Sequence, residues 1–325
     1  MLLVLVEHDR GSLATATGEA MTFGRTLAAR LDVPLHAVTI GAAADGLADA
    51  LAELGALVVH QAHDDVLADY GPEAWGETLA QLVASLEPAA VIATGTDRGN
   101  EVMAQAAARL DLPMVANVTE LDAQSDGWEL TRVRWGGSLL ERAALSAPIK
   151  LLTVAHHAFD AEAATADAVV APEARRFTPQ LDANLARTVV RDRVERVAGV
   201  TLATAPVVVG GGRGVGSAEG FAPLEELAAL LGGVVGCSRA VTNNGWRNHT
   251  DQVGQTGTRI APELYVACGI SGAIQHWVGA MASKRILAIN TDPQANMVTK
   301  ADYAVIGDLH EVVPAIIAEI RRRQG

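Results

Sequence analysis

Cysteine is nearly absent from this chain of 325 residues, which carries only Cys237 and Cys268. Two cysteines make neither a disulfide framework nor a metal cluster, and such usage fits a reducing compartment. Each reads as a small buried apolar residue. Basic charge is also in short supply: 25 Lys and Arg stand against 38 Asp and Glu, a formal net charge of −13. That balance speaks against nucleic acid or an anionic membrane surface as a main partner and favours basic docking partners. No uninterrupted apolar run approaches the roughly 18 residues needed to span a bilayer. The opening MLLVLVEHD has no basic segment before its short apolar run and meets acids at once, so it reads as a first strand rather than a signal peptide. The expectation is a soluble protein without an integral membrane segment, cytoplasmic if the source is a bacterium.

The chain is long enough for about two domains, and half of its residues are hydrophobic, enough for a substantial core. Apolar runs alternate with helical stretches through the first half. Strands are expected at Leu2–Val6, Leu35–Ile40, Leu57–His60 and Ala89–Thr94, with helices at Ala16–Leu31, Ala43–Leu54, Pro72–Ser85 and Asn100–Leu110. Repeated β-α-β order implies a parallel sheet covered on both faces. Trp128–Arg134, Ser138–Leu145 and Ile149–Val154 read as strands completing this domain. Residues 158–173 turn to Ala, Asp, Glu and Pro and read as a surface connection or a sheet-edge segment. A strand-like Thr188–Val197 and a short link Ala198–Ala205 place the boundary near residue 200. The expected domains are thus residues 1–200 and 201–325. The second restarts the α/β pattern with strands at Val207–Val209, Gly233–Ser238, Glu263–Ala267 and Arg285–Ile289, and helices at Phe221–Leu231 and Glu311–Arg323.

Several stretches carry candidate chemistry. Gly210-Gly211-Gly212-Arg213-Gly214-Val215-Gly216-Ser217 follows a strand and precedes a helix, a context that lets backbone approach a phosphate. The order is not a clean G-x-G-x-x-G, and no acidic residue about 20 positions on suits a ribose in the NAD manner. A tight strand-to-helix turn explains the glycines equally well. Between two apolar runs, Ser271-Gly272-Ala273-Ile274-Gln275-His276 is expected to open a short helix with little bulk in its first turn, an arrangement suited to an anion. Thr94-Gly95-Thr96-Asp97-Arg98-Gly99-Asn100 would ordinarily suggest a nucleotide phosphate loop as well. His156-His157 has no acidic or cysteine partner at metal-ligand spacing and reads as structural. Ser271 lacks a G-x-S-x-G elbow, so no hydrolase constellation competes.

Motifs linked in order make the C-terminal third specific. Val253-Gly254-Gln255-Thr256-Gly257, Ala261-Pro262-Glu263-Leu264-Tyr265 and Gly269-Ile270-Ser271-Gly272-Ala273-Ile274-Gln275-His276 are followed by Ala288-Ile289-Asn290, Ala301-Asp302-Tyr303 and Gly307-Asp308-Leu309. This series resembles the FAD-binding signature of the electron transfer flavoprotein α-subunit. The resemblance implies an N-terminal α/β domain of nucleotide-binding type that serves subunit association and has no assigned cofactor. It also implies a C-terminal doubly wound α/β domain that binds FAD.

The resemblance also implies roles for individual residues. Arg213, in the Gly-Gly-Arg-Gly run, would contact the flavin nucleotide. Ser238 and Arg239 would lie at the flavin, with the arginine over the isoalloxazine, where a fixed cation favours the reduced form. Thr256, in the loop of Val253, Gly254 and Gln255, would hydrogen-bond near N5, and His276 would stand as donor or imidazolium by the N1/C2 carbonyl edge. Ser271, Gly272, Ala273, Ile274 and Gln275 would surround the phosphates and ribityl chain, and Asn290, Asp308 and Leu309 would fit the adenosine end. Without the resemblance, Arg239 reads as a solvated cation, Thr256 as a turn hydroxyl, His276 as a packed histidine, Asn290 as a strand-end turn residue and Asp308 as a helix N-cap. The Thr94–Asn100 loop corresponds to one that carries no nucleotide in the family.

The implied function is an electron carrier without a small-molecule substrate of its own. It would pair with a β-subunit, take electrons from flavin dehydrogenases such as those of fatty acid β-oxidation, and pass them to a quinone oxidoreductase or another acceptor. The chain departs from the family pattern at Asn296-Met297, at Trp277, across Asn243–Asp251 and at Arg134-Trp135-Gly136-Gly137. Two other readings are a nicotinamide dehydrogenase using the Gly210–Gly216 loop and a non-redox adenine-nucleotide module on the N-terminal domain.

Overall fold

The computed structural model describes residues 1–123, 127–167, 169–192 and 200–324. Contacts divide the chain into two compact units, residues 1–135 with 139–194, and residues 136–138 with 195–325. Part of the expected strand over Thr188–Val197 and the first two residues of the expected link Ala198–Ala205 fall on residues 193–199, outside the described residues, while residues 188–192 carry no strand and residues 202–204 form a turn.

The first unit is built on β1 (Leu2–Leu5), β2 (Leu35–Ile40), β3 (Val58–Ala62), β4 (Ala90–Thr94), β5 (Met114–Ala123), β6 (Trp128–Arg134), β7 (Leu139–Leu145), β8 (Lys150–Val154) and β9 (Glu173–Phe177). They form one sheet in the order β9-β3-β2-β1-β4-β8-β5-β6-β7. Pairing is parallel from β9 to β5 and antiparallel for β5-β6 and β6-β7. The central strands are buried on both faces, and their mostly apolar sequences admit only a few buried polar side chains, such as His36, Thr39, His60 and Thr153. Leu2, Val4 and Ile92 pack with Met21 and Leu27 of α1 (Thr15–Leu31). Leu3, Leu5 and Val91 pack on the other face with Leu79 of α3 (Pro72–Leu86) and Met103 of α4 (Asp97–Leu110). The helix expected over Ala43–Leu54 begins instead as a 3-10 segment at Ala42–Leu47 and becomes helix α2 only at Ala48–Glu53.

The second unit holds β10 (Val207–Gly211), β11 (Val234–Cys237), β12 (Leu264–Cys268), β13 (Ile286–Asn290) and β14 (Tyr303–Ile306). All pair in parallel in the order β11-β10-β12-β13-β14. Val209, Val266 and Ile289 face a core shared with α5 (Ala222–Leu230) and α9 (Leu309–Gln324). Val208, Tyr265 and Ala288 face the opposite core with Ile260, Ala280 and Met297. Short helices α6 (Arg239–Asn243), α7 (Ile274–Ala280) and α8 (Asn296–Lys300) follow β11, β12 and β13 directly. The helix after β12 is shorter than the sequence suggests, since Ser271 and Gly272 precede it and Ala273 takes the N-cap position.

Candidate cofactor site

The strand order of the second unit reverses between β10 and β12, because the chain moves outward to β11 from one and to β13 from the other. In open parallel sheets, such a switch point opens a crevice beyond the carboxyl ends of the two strands, where ligands bind. Here those ends are Gly211 and Cys268, paired in register. The loops that leave them, Gly212–Gly216 and Gly269–Ala273, meet backbone to backbone. The Gly212 N–H donates to Cys268 O at 2.8 Å and the Gly214 N–H to Gly269 O at 3.2 Å.

This contact explains most of the glycine run. A Cβ on Gly210 would lie 2.3 Å from the Tyr265 hydroxyl, and one on Gly211 would lie 2.3 Å from the Phe221 ring. A Cβ on Gly212 would lie 2.2 Å from Gly269 O. The run is therefore a close-packed strand exit before it is anything else, which weakens the nicotinamide reading built on it. Arg213 opens a 3-10 turn at its end and is exposed. Gly272 has φ +75° and presses on the Met297 backbone, so the Ser271–Ala273 turn also depends on a missing side chain.

Arg239 begins α6 immediately beyond β11 and is exposed, and Ser238 before it makes no side-chain capping bond. Among the described residues, neither the Arg213 nor the Arg239 guanidinium has a hydrogen-bond or ion-pair acceptor. Arg247 nearby in sequence is fully engaged, reaching Glu225 at 2.6 Å and Asp251 at 3.0 Å. Two unneutralised guanidiniums at the carboxyl edge of one sheet give that edge a positive field suited to an anionic ligand.

The Val253–Gly257 loop is pinned from both sides. The Val253 N–H donates to Cys237 O at 2.9 Å, and the Gln255 N–H donates to Gln275 O at 2.7 Å. Gln252, unflagged by the sequence, is buried and accepts from the Thr242 hydroxyl at 2.8 Å while its amide donates to the exposed Thr256 hydroxyl at 3.0 Å. Thr256 is thus held by a buried neighbour while its hydroxyl remains at the surface.

His276 departs from the charged role considered for it. It is buried, and its Nε2 lies 2.8 Å from the hydroxyl of Tyr265, itself wholly buried on β12. Burial pushes its pKa down to about 4, so the ring is neutral at physiological pH. The Val253 backbone acts in the opposite direction, and among the described residues Nδ1 has no hydrogen-bond partner. A tyrosine inside an apolar parallel strand was the available signal, because its hydroxyl requires a partner when buried.

The remaining candidates lie along the same edge. Ser271, Ala273, Ile274 and Gln275 are exposed. Asn290 ends β13, donates to Ile270 O at 3.0 Å and accepts from the Asp292 N–H at 3.1 Å, tying two of the edge loops together. Asp308 accepts from the His310 N–H at 2.9 Å and is the N-cap of α9. Leu309 is buried in the core against Val313 and Ile317, with its side chain packed beneath Gly269 of the switch-point loop. Cys237 and Cys268 are buried thiols whose pKa values burial raises to about 12, as expected for packing residues.

A family model described as the electron transfer flavoprotein domain matches residues 2–179, and one described as the electron transfer flavoprotein FAD-binding domain matches residues 201–281. The chain is 35% identical to the electron transfer flavoprotein subunit alpha of Bacillus subtilis (strain 168) over 99% of its own length and 97% of that protein. The chain belongs to the electron transfer flavoprotein α-subunit family. It is also 37% identical to the subunit alpha of Mycobacterium tuberculosis (strain H37Rv), covering 100% of this chain and 99% of the other. With the protein FixB of Bradyrhizobium diazoefficiens, it shares 34% identity over 98% of this chain and 88% of the other.

FAD is the cofactor of this family's C-terminal domain, and the residues present fit it. The switch-point loops are stripped of side chains where backbones converge, the two free guanidiniums suit a diphosphate and an electron-rich ring, and the exposed Ile274 offers apolar surface beside them. When bound, the flavin supplies the redox chemistry. Around such a ligand this chain would present a positive field from Arg213 and Arg239, the hydroxyls of Ser238 and Thr256, and the imidazole held by Tyr265. As members of this family are carriers, no substrate-activating constellation is required of these residues. No helix among the described residues is long and apolar enough to cross a membrane.

Proposed function

We propose that this chain is the FAD-carrying subunit of a heterodimeric electron transfer flavoprotein, working with a β-subunit. It accepts electrons from flavin dehydrogenases, including those that oxidise acyl-CoA thioesters, and delivers them to a quinone oxidoreductase or a comparable acceptor in the cytoplasm. The observation that carries the reading is the presence of two uncompensated arginines, Arg213 and Arg239, at the switch-point edge of a domain that matches the FAD-binding family. Residues 201–325 would hold the cofactor through Arg213, Ser238, Arg239, the Val253–Thr256 loop, the Ser271–His276 turn, Asn290 and the backbone around Asp308 and Leu309. Residues 1–200 would serve subunit association.

The test is a visible absorption spectrum of the chain purified with its candidate β-subunit, followed by stepwise anaerobic reduction. A flavin spectrum that bleaches on reduction and returns with an electron acceptor is expected. A colourless complex that also fails to take up added FAD would refute the proposal.

A further inference from the structure

The His156-His157 pair, read from sequence as lacking any acidic partner, has one in the folded chain. Glu19 lies 138 positions away from His157 on α1. The Glu19 Oε1 atom stands 3.4 Å from His156 Nδ1 and 3.5 Å from His157 Nδ1. The carboxylate is oriented by a separate bond, since the His157 backbone N–H donates to its Oε2 at 2.7 Å.

Adjacent residues on an extended chain point to opposite sides, yet these two rings lie together, with centroids 3.6 Å apart and planes inclined by 31°. A tight turn produces this placement. The Ala158 N–H donates to Ala155 O at 3.1 Å, and His157 adopts φ +63°, a conformation unusual for a side chain of this size. The turn is anchored to α1 by Thr22 and Arg25, whose side chains reach the Glu162 carbonyl at 3.3 and 3.0 Å. All three functional groups are largely shielded from water, and among the described residues neither His156 Nδ1 nor His157 Nε2 has a hydrogen-bond partner.

We propose that Glu19, His156 and His157 form a binding site for a divalent cation of the zinc class, which clamps the turn after β8 to α1. Two imidazoles and a carboxylate are borderline nitrogen and oxygen ligands of the kind zinc prefers. Tetrahedral ligands at zinc's bond length of about 2.1 Å lie about 3.4 Å from one another, which is the spacing found from Glu19 to each ring. One ring nitrogen of each histidine and a carboxylate oxygen all lie within 4.8 Å of one another, so a single ion can reach all three, with water filling the fourth position. The bond from the His157 N–H to the free carboxylate oxygen supplies the outer-shell support that ligating carboxylates generally have.

The test is a titration with Zn2+ alone. Full-length protein carrying FAD is stripped of metal with a chelator, dialysed, and titrated against a chromophoric zinc indicator. One Zn2+ per chain is expected, with an accompanying rise in the unfolding midpoint because the ion binds the folded state. Glu19→Gln, His156→Asn and His157→Asn are each expected to weaken binding at least tenfold. His63→Asn, which alters a histidine paired to Asp45 elsewhere in the same unit, should leave it unchanged. A far-UV circular dichroism spectrum and a cooperative unfolding transition like those of the wild type, measured without metal, show in each variant that the first unit remains folded. Should Glu19→Gln fail to fold, the partly exposed His156→Asn carries the test. Absence of a stoichiometric site, or equal affinity in the wild type and the histidine variants, would overturn the proposal.

Discussion

Arg239 offers the most direct test of the cofactor site. Its guanidinium is exposed and carries no internal counter-ion, so its charge is offset only by solvent and salt. Two unit charges about 4 Å apart interact by about 4 kcal/mol at an effective dielectric of 20 and about 1 kcal/mol in bulk water. Exposure places Arg239 between these limits, and a contribution of about 1–3 kcal/mol follows. With 59 mV for each tenfold change in a one-electron equilibrium, and 1.4 kcal/mol for each tenfold, Arg239→Ala lowers the flavin potential by about 40–130 mV. The assay is mediated spectroelectrochemical titration of the purified complex at low and high salt. Arg239→Lys keeps the charge and should retain most of the native potential, although it loses the planar face that stacks on a ring. Added salt should shrink the difference between wild type and Arg239→Ala, because an exposed charge is screened. A variant that retains its flavin and titrates at the wild-type potential would refute the placement of this charge beside the redox ring.

Gly272→Ala forces a Cβ to within 2.4 Å of the Met297 backbone nitrogen at φ +75° and should abolish FAD retention. Gly216→Ala, at φ +87° with nothing within 4 Å, should cost only about 1 kcal/mol in denaturant unfolding. His276 is neutral in the folded chain, with a pKa near 4 against 6.5 in the unfolded chain, so acid protonates the unfolded state first. Its contribution to stability is intact above about pH 6.5 and falls by roughly 3 kcal/mol as pH drops to about 4. Urea unfolding at pH 7 and pH 5 should show this loss in wild type and a smaller one in His276→Gln. Asp308→Ala removes the α9 cap and should destabilise by about 1 kcal/mol, whereas Asp308→Asn keeps a capping side chain and should be nearly neutral. A fall in FAD affinity in Asp308→Asn without a fall in stability would assign this residue a role beyond the cap.

What the sequence made legible follows from local physics. The buried parallel strands announce themselves as short, predominantly apolar runs, and each was found to within one or two residues because both of their faces are covered. Glu173–Phe177 was missed because EARRF is a charged edge strand, paired with β3 on one side only, and its composition is that of a loop. Met114–Ala123 was missed because its alternation is broken by polar residues and by Asn117 at φ +60°. Pairings that depend on tertiary placement left no signal of the partner's identity, even where, as at Tyr265, the need for a partner was visible. Tyr265 with His276, Gln252 between Thr242 and Thr256, and Glu19 with the two histidines are brought together by the fold alone.

The two sheets also show why similar strand-loop-helix patterns need not carry similar ligands. In the first unit, the order reverses between β1 and β4, and the Thr94–Asn100 loop leaves β4 at that point. The place is taken by the chain itself. Glu7, just beyond β1, accepts from the hydroxyls of Thr94 and Thr96 at 2.5 Å each, while Thr96 caps α4 through the Gly99 N–H. An internal carboxyl group thus engages the donors that a phosphate would otherwise need, and it adds negative charge where a phosphate would arrive. In the second unit, the corresponding edge presents Arg213 and Arg239 without acceptors. A phosphate-bearing ligand gains charge-assisted bonds at the second edge and meets an occupied, like-charged one at the first. The two switch points thus differ in the side chains they present, an internal carboxyl group with the Asp9-paired Arg98 at the first and two guanidiniums without acceptors among the described residues at the second.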